Sequence, residues 1–171
     1  MPYFSRSTNK AHQLLTHPES YRGLKRRNKC DRKLLIWSYP SFSAYCSWSL
    51  FVEQNAIEQI CFIRRIKLVR SKCLPCEQTE PYTLGSEVIT DFQQATEIID
   101  RLCEIKLQSL ETPDPIGIDG TIYGIEITDR GIDRCLSWWS IPTEDWQLLL
   151  IWFQDTVAIF DEILPKNNIS Q

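Results

Sequence analysis

The sequence predicts an α+β fold: a mainly antiparallel sheet of about five strands in the order β-β-β-α-β-β-α, with two helices packed on one face. Three observations carry this. Apolar residues alternate at period two before residue 70 and again after residue 120. In two other windows they recur at three- and four-residue steps. Turn signals join the strands directly, without the strand–helix alternation that builds a parallel sheet. A chain of 171 residues is one domain by length, and 43% hydrophobic residues suffice to fill its interior.

Residues 1–31 are poor in aliphatics and hold most of a basic cluster, so they read as a disordered arm ahead of a domain over 32–167 and a tail over 168–171. Leu34-Leu35-Ile36-Trp37 is a short apolar run that Pro40 ends or relegates to a sheet edge. Phe42, Ala44, Cys46, Trp48, Leu50 and Val52 then alternate with a mostly polar set, giving a strand with one face in the core. After a turn at Gln54-Asn55, Ile57 to Val69 reads as a third strand. Arg64, Arg65 and Lys67 blur its two faces.

A loop from Ser71 to Gly85 leads to Ser86, read as the N-cap of a helix running to about Leu110, with Val88, Phe92, Ala95, Ile99 and Leu102 on its apolar side. Pro113 and Pro115 stop it. Asp119-Gly120, between Ile118 and Thr121, reads as a type I′ hairpin turn. Ile122–Thr128 and Ile132–Trp139 pair around Asp129-Arg130-Gly131. Thr143 caps a last helix whose buried stripe is Trp146, Leu149, Leu150, Phe153, Val157, Phe160 and Leu164. Trp152 falls off that stripe, and Pro165 marks the end.

Charge is partitioned along the chain. Residues 1–33 hold nine Lys or Arg against two carboxylates (+7), and the remainder ten against twenty (−10), which the net charge of −3 conceals. Both histidines precede residue 18, so histidine-activated nucleophiles and histidine-rich metal sites lose support. The nucleotide-loop patterns G-x-x-x-x-G-K-[ST] and G-x-G-x-x-G and the hydrolase elbow G-x-S-x-G do not occur. No apolar run approaches the roughly 18 residues of a membrane span, and no short apolar core of a secretory signal opens the chain. The cytoplasm is therefore the expected location. Most of the seven scattered cysteines read as reduced core residues.

Cys73-Leu74-Pro75-Cys76 is a C-x-x-C pair, weak candidate ligands for a metal or partners in thiol chemistry. The only further cysteine or histidine ligands in view lie in the arm, so a loop with incidental cysteines is the simpler reading, and no metal or cofactor is expected. Glu126, Asp129 and Asp133 on the second hairpin, with Glu144 and Asp145 opening the last helix, could gather into an acidic patch near one end of the sheet. Turn and first-turn carboxylates are commonly solvated or capping, so no catalytic role is assigned to them. Trp138 and Trp139, as strand neighbours, face opposite ways, so one of them covers the second face of the sheet or meets a partner. Lys25-Arg26-Arg27-Asn28-Lys29 would suit nucleic acid, but an acidic body opposes that use.

The run Gly117-Ile118-Asp119-Gly120-Thr121-Ile122-Tyr123, followed by Ser137-Trp138-Trp139, Pro142, Trp146 and Asp161-Glu162-Ile163-Leu164-Pro165, resembles a family of small bacterial, often cyanobacterial, α+β proteins to which no activity is tied. Trp48-Ser49-Leu50 and Thr83-Leu84-Gly85 fit the same pattern, which spans about Leu34 to Pro165 and leaves out the basic arm. The resemblance implies one bacterial domain and no mechanism. Charge, surplus tryptophans and missing catalytic signatures together suggest a non-enzymatic, immunity-like protein that binds another protein through an acidic surface. Glu126, Asp129, Asp133, Trp139, Glu144 and Asp145 are the candidate contacts. The alternatives are a small-ligand-binding protein or enzyme with a pocket between sheet and helices, and nucleic-acid contact through the arm.

Overall fold

The computed structural model describes residues 12–27, 30–54, 59–69, 81–107, 119–129, 132–140, 142–166 and 169–170. The strands are β1 (Cys30–Pro40), β2 (Tyr45–Gln54), β3 (Gln59–Val69), β4 (Tyr82–Thr90), β5 (Thr121–Asp129), β6 (Ile132–Trp139) and β7 (Ile169–Ser170). Two long helices, α1 (Phe92–Glu104) and α2 (Gln147–Ile163), are accompanied by a short helical segment over residues 12–16 and by 3-10 turns at Pro18–Ser20 and Glu144–Trp146. All strand pairs are antiparallel, in the order β6-β5-β1-β2-β3-β4-β7. The α+β class, the antiparallel sheet and the two helices on one face agree with the sequence reading. The strand count rises from five to seven.

The main core lies between sheet and helices. Leu34, Ile36, Trp48, Leu50, Ile63 and Ile125 meet Ile98 and Ile99 of α1 and Leu149, Phe153 and Phe160 of α2. Trp138 joins them, its ring edge-on to Trp146 and Phe153 at 6.1 and 5.7 Å. Trp48 Nε1 and Arg65 Nη1 both donate to Asp161 Oδ1, at 2.7 and 2.9 Å, tying β2 and β3 to the end of α2. Trp152 is buried and donates from Nε1 to the Ile98 carbonyl, so it fills the seam between the helices instead of leaving the apolar stripe.

Three local readings are corrected and a fourth is resolved. Residues 82–90 form β4, not a loop and helix start. Tyr82, Thr83, Val88, Ile89 and Thr90 suit a pleated surface, and the interior Gly85 disfavours a helix. The helix cap is Asp91, whose carboxylate accepts from the Gln94 amide, and α1 ends at Glu104. Of the two outcomes read for Pro40, it ends the strand and does not make it an edge: β1 is central, between β2 and β5, and Pro40 is its last residue. Gly120 does not have the positive φ that a type I′ turn requires; its carbonyl accepts from the Ser41 amide, and a Cβ there would strike Trp139 and Ser140. Ile118 and the Asp129-Arg130-Gly131 turn beyond Asp129 lie outside the described residues.

The largest difference concerns the arm. Residues 12–27 form an ordered strap across the sheet face opposite the helices. Leu14, Leu15, Tyr21 and Leu24 bury against Ile66 and Leu68 in a second, smaller core. The hydroxyl of Tyr21 lies within hydrogen-bond distance of the carbonyls of Thr83 (3.0 Å) and Ile169 (2.7 Å), which pins β7 to β4. Four apolar side chains in sixteen residues looked too few to order the segment. The sheet supplies the remainder, because β3 presents Phe62, Ile66 and Leu68 on a face that would otherwise be bare.

Candidate functional site

The six residues singled out for partner contact fall into two groups. Glu126 and Asp133 project from β5 and β6 on the strap face, as their pairing with Leu35 and Thr128 dictates, and Asp129 ends β5. Glu126 is paired with Arg32. Trp139 is half-buried on that same face, at the far end of β6. Glu144 and Asp145 are exposed in the 3-10 turn entering α2, on the helix side. Asp133 and Trp139 are six strand steps apart, about 20 Å, so the six do not form one rim. The patch expected near one end of the sheet is therefore not assembled. Cys73 and Cys76 lie outside the described residues, and no group of three potential metal ligands occurs among those that are described.

The two covering layers differ in charge, although the strands offset the difference, with Glu53, Glu87, Glu126 and Asp133 on the strap side and Arg65, Lys67 and Arg134 on the helix side. Residues 91–107 and 142–166, which build the helix layer, hold nine carboxylates against three cations, a balance of −6. The strap, residues 12–27, holds Arg22, Lys25, Arg26 and Arg27 against Glu19, a balance of +3.

On the helix side, α2 carries an outward stripe. Leu148 and Ile151, three apart and so on one face, are 62% and 45% exposed. Asp155 continues the stripe, joined to Arg101 of α1 at 3.2 Å with both side chains half-open. Glu144 and Asp145 stand one turn before it. The arrangement is an apolar centre with a carboxylate margin, the layout of a protein interface. Sequence reading missed Leu148 and Ile151. The signal was present, since residues 148–153 are Leu-Leu-Leu-Ile-Trp-Phe, more apolar than one buried face requires.

On the strap side, a cavity of about 250 Å³ is lined by Glu19, Arg27, Cys30, Phe51, Phe62 and Arg64. Its charged groups converge on one another. Glu87 Oε1 accepts from Arg27 Nε and Nη2 at 3.1 and 2.7 Å, and its Oε2 accepts from Arg64 Nε at 2.7 Å. Arg27 Nη1 reaches Glu53 at 2.9 Å. Arg64 spends Nη1 and Nη2 on the carbonyls of Pro18 and Lys25, at 3.1 and 2.6 Å. The Arg27 guanidinium lies 4.2 Å above the Phe62 ring, which stacks on Phe51. Burial, then the Glu53 carboxylate, push the Cys30 thiol up, so it is a poor nucleophile at neutral pH. This cluster clamps the strap to the sheet.

No protein-family model matches the chain, and no match was found among curated proteins or solved structures. No helix among the described residues is long and apolar enough to cross a membrane.

Proposed function

We propose that the chain is a non-enzymatic, immunity-like protein-binding domain of a bacterial cytoplasm, which recognises a basic partner through the outer face of α2. The observation that carries the reading is the pair Leu148 and Ile151, open to solvent inside a margin of Glu144, Asp145 and Asp155. Carboxylates around the margin speed encounter with a cationic surface, and the aliphatic centre supplies contact that excludes water. Glu126, Asp129, Asp133 and Trp139 stand elsewhere in the fold and have no part in this surface.

The test is affinity purification with the wild type, with Leu148→Ser/Ile151→Ser and with Glu144→Lys/Asp145→Lys. A basic protein recovered by the wild type and lost by both variants, at unchanged circular dichroism, is the expected result. A partner retained by both variants rules this surface out.

A further inference from the structure

The two edges of the sheet are finished differently. At one, β7 covers part of β4 through Leu84 and Gly85. At the other, β6 pairs with β5 over eight residues without a bulge, and among the described residues no strand lies on its outer side. Natural edge strands are guarded by charged side chains, proline, bulges or brevity, and Ile132–Trp139 carries such a guard only at its start, in Asp133 and Arg134, leaving residues 135–139 without one. We propose that two copies of this chain pair edge to edge through β6, antiparallel about a two-fold axis normal to the sheet, giving one continuous sheet with the helices of both copies on the same side.

The chemistry along β6 selects a second copy as the occupant. The strand is charged at its start (Asp133, Arg134), uncharged in its middle (Cys135, Leu136, Ser137) and aromatic at its end (Trp138, Trp139). Antiparallel apposition sets the charged end of each copy against the aromatic end of the other. Faces are preserved only if paired residue numbers share parity, so the axis must pass through a residue. Centred on Cys135, the pairing would bring each Arg134 diagonal to its own counterpart, about 7–8 Å away. Centred on Leu136, the two Arg134 residues lie four strand steps apart, about 13 Å, beyond the screening length at physiological salt. In that register Leu136 meets Leu136 and Cys135 meets Ser137 of the second copy. Asp133 there faces Trp139 of the second copy, a carboxylate opposite an indole donor. Cys135 and Ser137 are exposed, so their side chains are open to the approach among the described residues.

Sedimentation of the full chain over a concentration series tests this. The weight-average mass should climb from 20.1 kDa towards twice that value. Cys135→Lys/Ser137→Lys places lysines opposite one another twice and should hold the mass at one chain, with an unchanged circular dichroism spectrum. Ser137→Cys should form an oxidant-induced disulfide between Cys135 of one copy and position 137 of the other, mapped by peptide mass and absent when Cys135→Ser is added. A wild type that stays at one-chain mass up to on the order of 0.5 mM overturns the proposal, because only an association weaker than the millimolar range would then remain. A dimer that survives the double lysine variant, or that gives no such disulfide, overturns it as well.

Discussion

Replacing Glu87 by alanine should be the most damaging single change on the strap side. Its carboxylate, 11% exposed, receives three charged hydrogen bonds from two guanidiniums that are 5% and 3% exposed. Removing it leaves Arg64 with the carbonyls of Pro18 and Lys25 but no anion, and Arg27 with Glu53 alone. Breaking a buried ion pair from one side costs about 3–5 kcal/mol, because the stranded charge keeps its desolvation penalty. We expect about 4 kcal/mol for Glu87→Ala. Arg27→Ala should cost about 3 kcal/mol, since Glu87 then keeps Arg64 while Glu53, 13% exposed, loses its guanidinium. The double variant should cost less than the sum of the singles, as expected of direct partners. Urea denaturation followed by tryptophan fluorescence measures the losses, and trypsin cleavage after the exposed Lys25 and Arg26 reports whether the strap lifts. A Glu87→Ala loss below about 1 kcal/mol, the scale of an exposed pair, would refute the buried-clamp argument.

Three other outcomes follow from the structure. Gly124→Ala puts a methyl group into the Trp37 indole, which lies directly over that glycine, so we expect a loss of about 1–3 kcal/mol and a red-shifted indole emission. Tyr21→Phe removes the hydroxyl that faces the Thr83 and Ile169 carbonyls, so stability should fall by about 1–2 kcal/mol and the Leu84–Gly85 pairing with β7 should lose hydrogen-exchange protection first. Burial pushes Cys46 up to about 11 and Tyr39 up to about 12. Both keep their protons in the fold after the unfolded chain has lost them, so stability is complete below about pH 8.5 and declines from there through about pH 12. A flat stability profile between pH 8 and 11, or a Cys46 thiol alkylated in the native state as fast as in urea, would contradict this.

The fold class was legible because strand alternation in 45–52 and 121–139 and helical spacing in 92–104 and 147–163 are local patterns that tertiary packing reinforces. β4 was lost because Ser86-Glu87 resembles a cap followed by an acidic first turn. Only the pairing of Arg64 with Glu87 across β3 and β4 shows that the glutamate belongs to a sheet. The same pairing explains why Arg64 interrupts an apolar strand: its charge is buried, not turned to water. The strap was illegible for a related reason. Its four apolar residues mean little without the hydrophobic face they cover, and that face read as a strand of uncertain register. The acidic rim failed because charge sorting by face depends on which strands lie beside each other, information the sequence holds only through long-range register.

The clamp also bears on how the molecule should be handled. A version trimmed to begin at β1 would shed its most cationic stretch, but it would also uncover Phe62, Ile66 and Leu68 and strand Arg64 without its carbonyl acceptors. Such a shortened chain would tend to stick to unrelated proteins, and any binding it displayed would reflect a torn interior, not the surface that the intact molecule presents.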